Sequence, residues 1–124
     1  MINVDTFQPA QSRWQDIFRC LSEDFDVYPP GVKVGECQTP YVVVKNDGST
    51  KHSSFSTDVD LYAVMVYVPK QAYSTLEPLV QKVKEKMKEL RPMILPYGMQ
   101  TSSYYDDSIK AHTISIEYKN YKKL

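Results

Sequence analysis

The sequence predicts an α+β domain in which a mostly antiparallel sheet with a long β-hairpin is packed against two amphipathic helices. Three observations lead there. The stretch from Val27 to Val68 is rich in β-branched and aromatic residues and broken by polar, glycine-containing segments. Apolar residues at helical spacing precede it near Pro9 to Ser22 and follow it from Ser74 to Arg91. The chain then closes on an alternating run from Ile109 to Tyr118.

The first helix is expected over about Pro9 to Ser22. Pro9 suits a first helical position, where its missing N–H has no partner to lose, and Trp14, Ile17, Phe18 and Leu21 fall on one face. Pro29-Pro30-Gly31 then forbids helix, so a loop or edge segment runs through Gly35 to Pro40. Tyr41-Val42-Val43-Val44 is apolar on both alternating faces, as in a strand covered on two sides or lying at an interface. A first strand of Tyr41 to Lys45 is expected to turn at Asn46-Asp47-Gly48, since an Asp-Gly step supplies the positive φ of a tight reversal.

The next strand, from about Asp58 to Val68, is long, roughly 36 Å at about 3.3 Å per residue. One parity carries Asp58, Asp60, Tyr62, Val64, Val66 and Val68; the other carries Val59, Leu61, Ala63, Met65 and Tyr67. Pro69 ends it. A second helix should begin at a capping box, Ser74 to Glu77, with Leu76, Leu79, Val80, Val83, Met87 and Leu90 along one stripe. Arg91-Pro92 closes this helix, Pro96-Tyr97-Gly98 reads as a turn, and the basic end from Lys119 to Leu124 is expected to fray, as is the N-terminus.

A chain of 124 residues with 15 basic and 15 acidic groups fits one domain, residues 1–124, and carries no strong field to recruit nucleic acid or an anionic membrane. No apolar stretch reaches the roughly 18 residues of a membrane span, and a leader pattern is lacking at the start, so no membrane partner is expected. Cys20 and Cys37 are the two cysteines and are expected to be reduced, inert thiols.

Each candidate for chemistry has a plainer reading. Asp58 and Asp60 share a strand face and would suit an acid/base or metal pair, yet carboxylates at the start of a long strand are ordinary surface charge. Asp106-Asp107 follows Ser-Ser-Tyr-Tyr and reads as a polar loop or turn. His52, His112 and the two cysteines have no zinc-ligand spacing, and Cys37 has no nucleophile turn around it. Gly31, Gly35, Gly48 and Gly98 do not form a phosphate loop. The expectation is therefore no enzyme, no catalytic residues, no cofactor and no metal. Ten tyrosines, at 28, 41, 62, 67, 73, 97, 104, 105, 118 and 121, are dispersed in the manner of core edges and protein contacts rather than of a base-stacking platform.

The element order, together with the loop VYPPGVKVGECQTPYVVV, the strand entering VMVYVP, the helix LEPLVQKVKEKM and the closing HTISIEYKNY, resembles the small tail-completion or tail-terminator (head–tail joining) proteins of long-tailed bacteriophages and prophages, over about Ile17 to Tyr121. The resemblance implies a structural virion subunit that forms a homo-oligomeric ring, typically a hexamer, at the head-proximal end of the tail. Such a ring stops tube growth and joins the tail to the head connector, with DNA only passing through it. Its partners would be its own copies, the tail-tube protein and the connector proteins, and its place the head–tail junction of a virion assembled in the bacterial cytoplasm. A connector adaptor or stopper, a cytosolic peptide-binding module and a small enzyme are the competing classes.

Overall fold

The structure, a computed structural model, describes residues 12–51 and 58–122. Helix α1 (Trp14–Ser22) leads through β1 (Val27–Tyr28) to β2 (Tyr41–Lys51) and β3 (Asp58–Pro69). A 3-10 segment, Lys70–Thr75, runs into α2 (Leu76–Met87) and a second one, Lys88–Leu90, out of it; β4 (Leu95–Gln100), β5 (Tyr104–Asp106) and β6 (Ala111–Lys122) complete the chain. The protein is thus α+β, with a mostly antiparallel six-stranded sheet and two helices.

The strand order is β1-β2-β3-β6-β4, with β5 beside β4 on the same side of β6. β1 joins β2 in parallel through Val27 and Tyr28, and the remaining pairings are antiparallel. β3 is central, pairing with β2 from Tyr67 opposite Tyr41 to Asp58 opposite Lys51, and with β6 along its whole length.

Alternation along these strands sorts the side chains onto two faces. Val42, Val44, Tyr62, Val64, Val66, Val68, Ile114, Ile116 and Tyr118 form the main core with Ile17 and Leu21 of α1 and Leu76, Val80, Val83 and Met87 of α2. On the other face Tyr41, Val43 and Ala111 are buried with Cys37 from the long loop, flanked by Tyr28, Met65, Tyr67 and Ile109. The four residues Tyr41 to Val44 are therefore buried on both sides, which accounts for their unbroken apolar run.

Two strand contacts anchor α1. The Arg13 backbone N–H donates to the Tyr62 hydroxyl at 2.8 Å, so a tyrosine of β3 satisfies a donor at the helix start that no capping side chain takes. The Trp14 indole N–H donates to the Val44 carbonyl at 2.6 Å. Pro9, the expected first helical residue, lies outside the described residues.

Several expectations need correction. Asn46-Asp47-Gly48 is not the hairpin turn: β2 continues to Lys51, and these residues make a bulge in which Asn46 faces Tyr62 while Ser49 faces Asp60, leaving two residues opposite one. Gly48 takes φ +88° there and donates its N–H to Asn46 Oδ1 at 3.0 Å. The positive-φ signal was real, but it serves a bulge instead of a reversal. Pro96-Tyr97-Gly98 likewise lies within β4, where the register jumps from Pro96 opposite Tyr118 to Gln100 opposite Ile116. The capping box at Ser74 does not form, because the 3-10 segment already supplies carbonyls to the start of α2; Thr75 instead donates its hydroxyl to the Ala72 carbonyl at 2.6 Å. Finally, residues 119–122 are strand, paired across to residues 58–61 of β3.

Candidate functional site

The residues that the sequence singles out for chemistry lie apart. Cys20 is buried in α1 and its thiol faces the Lys86 carbonyl at 3.6 Å; Cys37 is buried on the opposite face of the sheet and faces the Thr39 carbonyl at 3.3 Å. Both are free, and burial raises both thiols above their ordinary pKa, the opposite of what a nucleophile needs. His112 in β6 sits between the rings of Tyr73 and Tyr105, with Nε2 at 3.1 Å from the Lys70 carbonyl. Asp106 accepts from the Ser108 N–H at 3.0 Å and the Ser108 hydroxyl at 2.6 Å, and Asp107 lies 3.7 Å from Lys110, so this pair builds the turn into β6. Asp58 and Asp60 enter β3 opposite Lys122 and Asn120. His52 is outside the described residues. Among the described residues no three His, Cys, Asp or Glu side chains are grouped to hold a metal, and no helix is long and apolar enough to cross a membrane.

What the fold does bring together is edge and aromatic surface. β2 pairs with β1 through Val42 and Val43 alone, so its outer edge from Lys45 to Lys51 has no strand partner among the described residues. Residues 45–50 are exposed. On the face away from the helices, Tyr28 meets Tyr41 edge to face at 5.8 Å and Tyr41 stacks on Tyr67 at 5.0 Å, with Lys33 over the first two rings. Tyr41 is buried, and burial pushes its hydroxyl up to about 12. Beyond this stack Val32 and Val34 stand exposed on the loop. Farther along the same face Lys119 lies over the rings of Tyr97 and Tyr121, both exposed.

Between these aromatic groups lies a polar cluster that sequence reading missed. In register, Lys45 of β2, Ala63 of β3 and Glu117 of β6 form one row across the sheet. The small Ala63 leaves space between its neighbours, and the β2 bulge turns Asp47 into it, 3.7 Å from Lys45 and hydrogen-bonded to Glu117. Asp47, Leu61, Tyr97, Met99, Thr101 and Glu117 contribute to the walls of a cavity of about 450 Å3. Burial first, and then the bond to and charge of Asp47, push the Glu117 carboxyl up to about 7 against the pull of Lys45. The cross-strand register needed to find this cluster is not written locally in the chain.

The sign of the effect follows from where the proton sits. Folded protein holds the Glu117 proton at pH values where an unfolded chain, near 4.5, has released it, so the contribution is intact below that value and is lost as pH rises through about 7. Discounted for solvent screening, the loss is about 1 kcal/mol. Glu117→Gln cannot ionise and should be more stable than the parent by that amount at pH 8 and nearly equal at pH 4, as read from urea midpoints. Identical midpoint profiles for the two proteins would contradict this account.

No family model matches the chain, and no curated protein matches it.

Proposed function

We propose that this protein is a structural virion subunit of the tail-terminator kind, assembling with copies of itself into a ring, typically of six, at the head-proximal end of a long bacteriophage tail. In this reading β2 and β3 are the arms of one long hairpin, and α1 and α2 are amphipathic helices laid on the sheet. The ring ends tube growth and joins the tail-tube protein to the head connector, with DNA passing through and no bond made or broken. The observation that carries the reading is the outer edge of β2 from Lys45 to Thr50, exposed and without a strand partner among the described residues, a row of backbone donors and acceptors that suits pairing or flanking contact with another subunit. Exposed Tyr97, Tyr104 and Tyr121 add aromatic area with hydroxyls that tolerate a wet rim. The separation of Cys20, Cys37, His112 and the aspartates at 58, 60, 106 and 107 favours assembly over catalysis. The resemblance in element order supports the particular place in the virion.

Light scattering on a size-exclusion column, repeated over protein and salt concentration, tests the proposal together with negative-stain imaging. Rings of about six copies are the expected result. A chain that stays monomeric throughout and does not bind purified tail tubes would sink it.

A further inference from the structure

A second pocket lies on the helix face, where the end of α2 meets β4. Beside the register jump between Pro96 and Gln100, where three residues of β4 stand opposite one of β6, lies a cavity of about 320 Å3. Its floor is apolar: Met87 of α2, Ile94, and Ile116 and Tyr118 of β6, all buried. Its rim is cationic. Lys84, Lys88 and Arg91 border it, and among the described residues neither Lys84 nor Arg91 makes an ion pair, while Lys88 is held by Glu85 at 2.9 Å. Glu117 is the acidic residue of the lining, and strand parity directs its side chain to the other sheet face, where it meets Asp47. Met99, 62% exposed, borders both this cavity and the one on the opposite face and offers an adaptable apolar contact.

We propose that this pocket docks a segment of another protein that inserts one large apolar side chain between acidic residues. The cavity has the size for a single leucine, phenylalanine or tryptophan side chain, and the apolar floor rewards removing such a group from water. The rim decides between a polypeptide and a simple amphiphile. With Lys84 and Arg91 both unpaired on the rim among the described residues, a single carboxylate leaves one positive charge uncompensated, whereas acidic residues on either side of an anchored side chain match both. A fatty acid satisfies the floor and one cation; an oligonucleotide satisfies the cations and leaves the floor wet. The inference does not depend on ring formation, because the pocket is complete within one chain.

The test is a methyl-detected NMR titration with synthetic peptides carrying a phenylalanine between pairs of acidic residues, beside versions with lysine flanks and with glycine for phenylalanine. Decanoate and a short DNA duplex serve as the alternative ligands. The acidic-flanked peptide should shift the methyls of Met87, Ile94, Met99 and Ile116 and bind saturably, and the glycine peptide should bind at least about tenfold more weakly. Lys84→Glu with Arg91→Glu should weaken the acidic peptide by a similar factor and admit the lysine-flanked one, with distant methyls unchanged. Lys84→Gln with Arg91→Gln is the milder pair if the reversal disturbs folding. Equal binding of the lysine-flanked peptide to the parent protein, shifts confined to other surfaces, absence of saturable binding, or binding of decanoate or DNA in place of the peptide would each overturn the proposal.

Discussion

Leu21→Ala should lower the unfolding free energy by about 3 kcal/mol, the range for a leucine removed from a core that relaxes only partly being about 2–5. Leu21 is wholly buried, with no exposed surface, in the cluster that joins α1 to α2 and the sheet. A domain of this size has about 5–15 kcal/mol in total, so the substitution removes a large fraction of it and should lower the midpoint temperature by about 10 °C. Leu79→Ala is the internal comparison, because Leu79 is only partly buried against the same cluster and should cost about 1 kcal/mol. Urea unfolding with unchanged slope is the measurement. Equal, small losses at both positions would mean that α1 does not seal this core.

The second large effect concerns assembly. Ser49 and Thr50 are exposed neighbours on β2, and adjacent strand residues point to opposite faces, so the double variant Ser49→Lys, Thr50→Lys places a cation on each face of the sheet along this edge. Lysine at an edge opposes pairing with another strand. If the ring is built through this edge, self-association should weaken by roughly a hundredfold, equivalent to about 2.7 kcal/mol per contact. The monomer's circular dichroism and urea midpoint should stay near those of the parent, because neither side chain enters a core. Lys82→Ala, on the exposed side of α2, is expected to leave association unchanged. Unaltered rings from the double lysine variant would remove β2 from the interface.

The sequence showed most of what depends on periodicity. Leu76, Val80, Val83 and Met87 are buried together on α2, and Tyr62 to Val68 and Ile114 to Tyr118 keep the parity their spacing requires. It misled where one local signal has two uses. A glycine of positive φ serves a turn or a bulge equally well, and at Gly48 and Gly98 the chain stays in strand because β3 and β6 continue to offer partners. The capping pattern at Ser74 was overridden by the 3-10 segment that enters α2. The Lys45–Asp47–Glu117 cluster was invisible for a different reason: its members are up to 72 positions apart, and only the register of three strands, with Ala63 as the gap between them, brings them together. The basic-rimmed pocket beneath β4 depends on the same kind of register jump.

β2 changes character along its length. From Tyr41 to Val44 it is clamped on both faces and tied by the Trp14 indole, whereas residues 45–50 are exposed and, among the described strands, pair with β3 on one side only. Opening free energy follows buried apolar contact, so the strand grades from a stiff root to a compliant blade. A part built this way can bend to meet a neighbour whose spacing is slightly off while its foundation keeps its shape, and the tolerance resides in the backbone itself with no separate hinge.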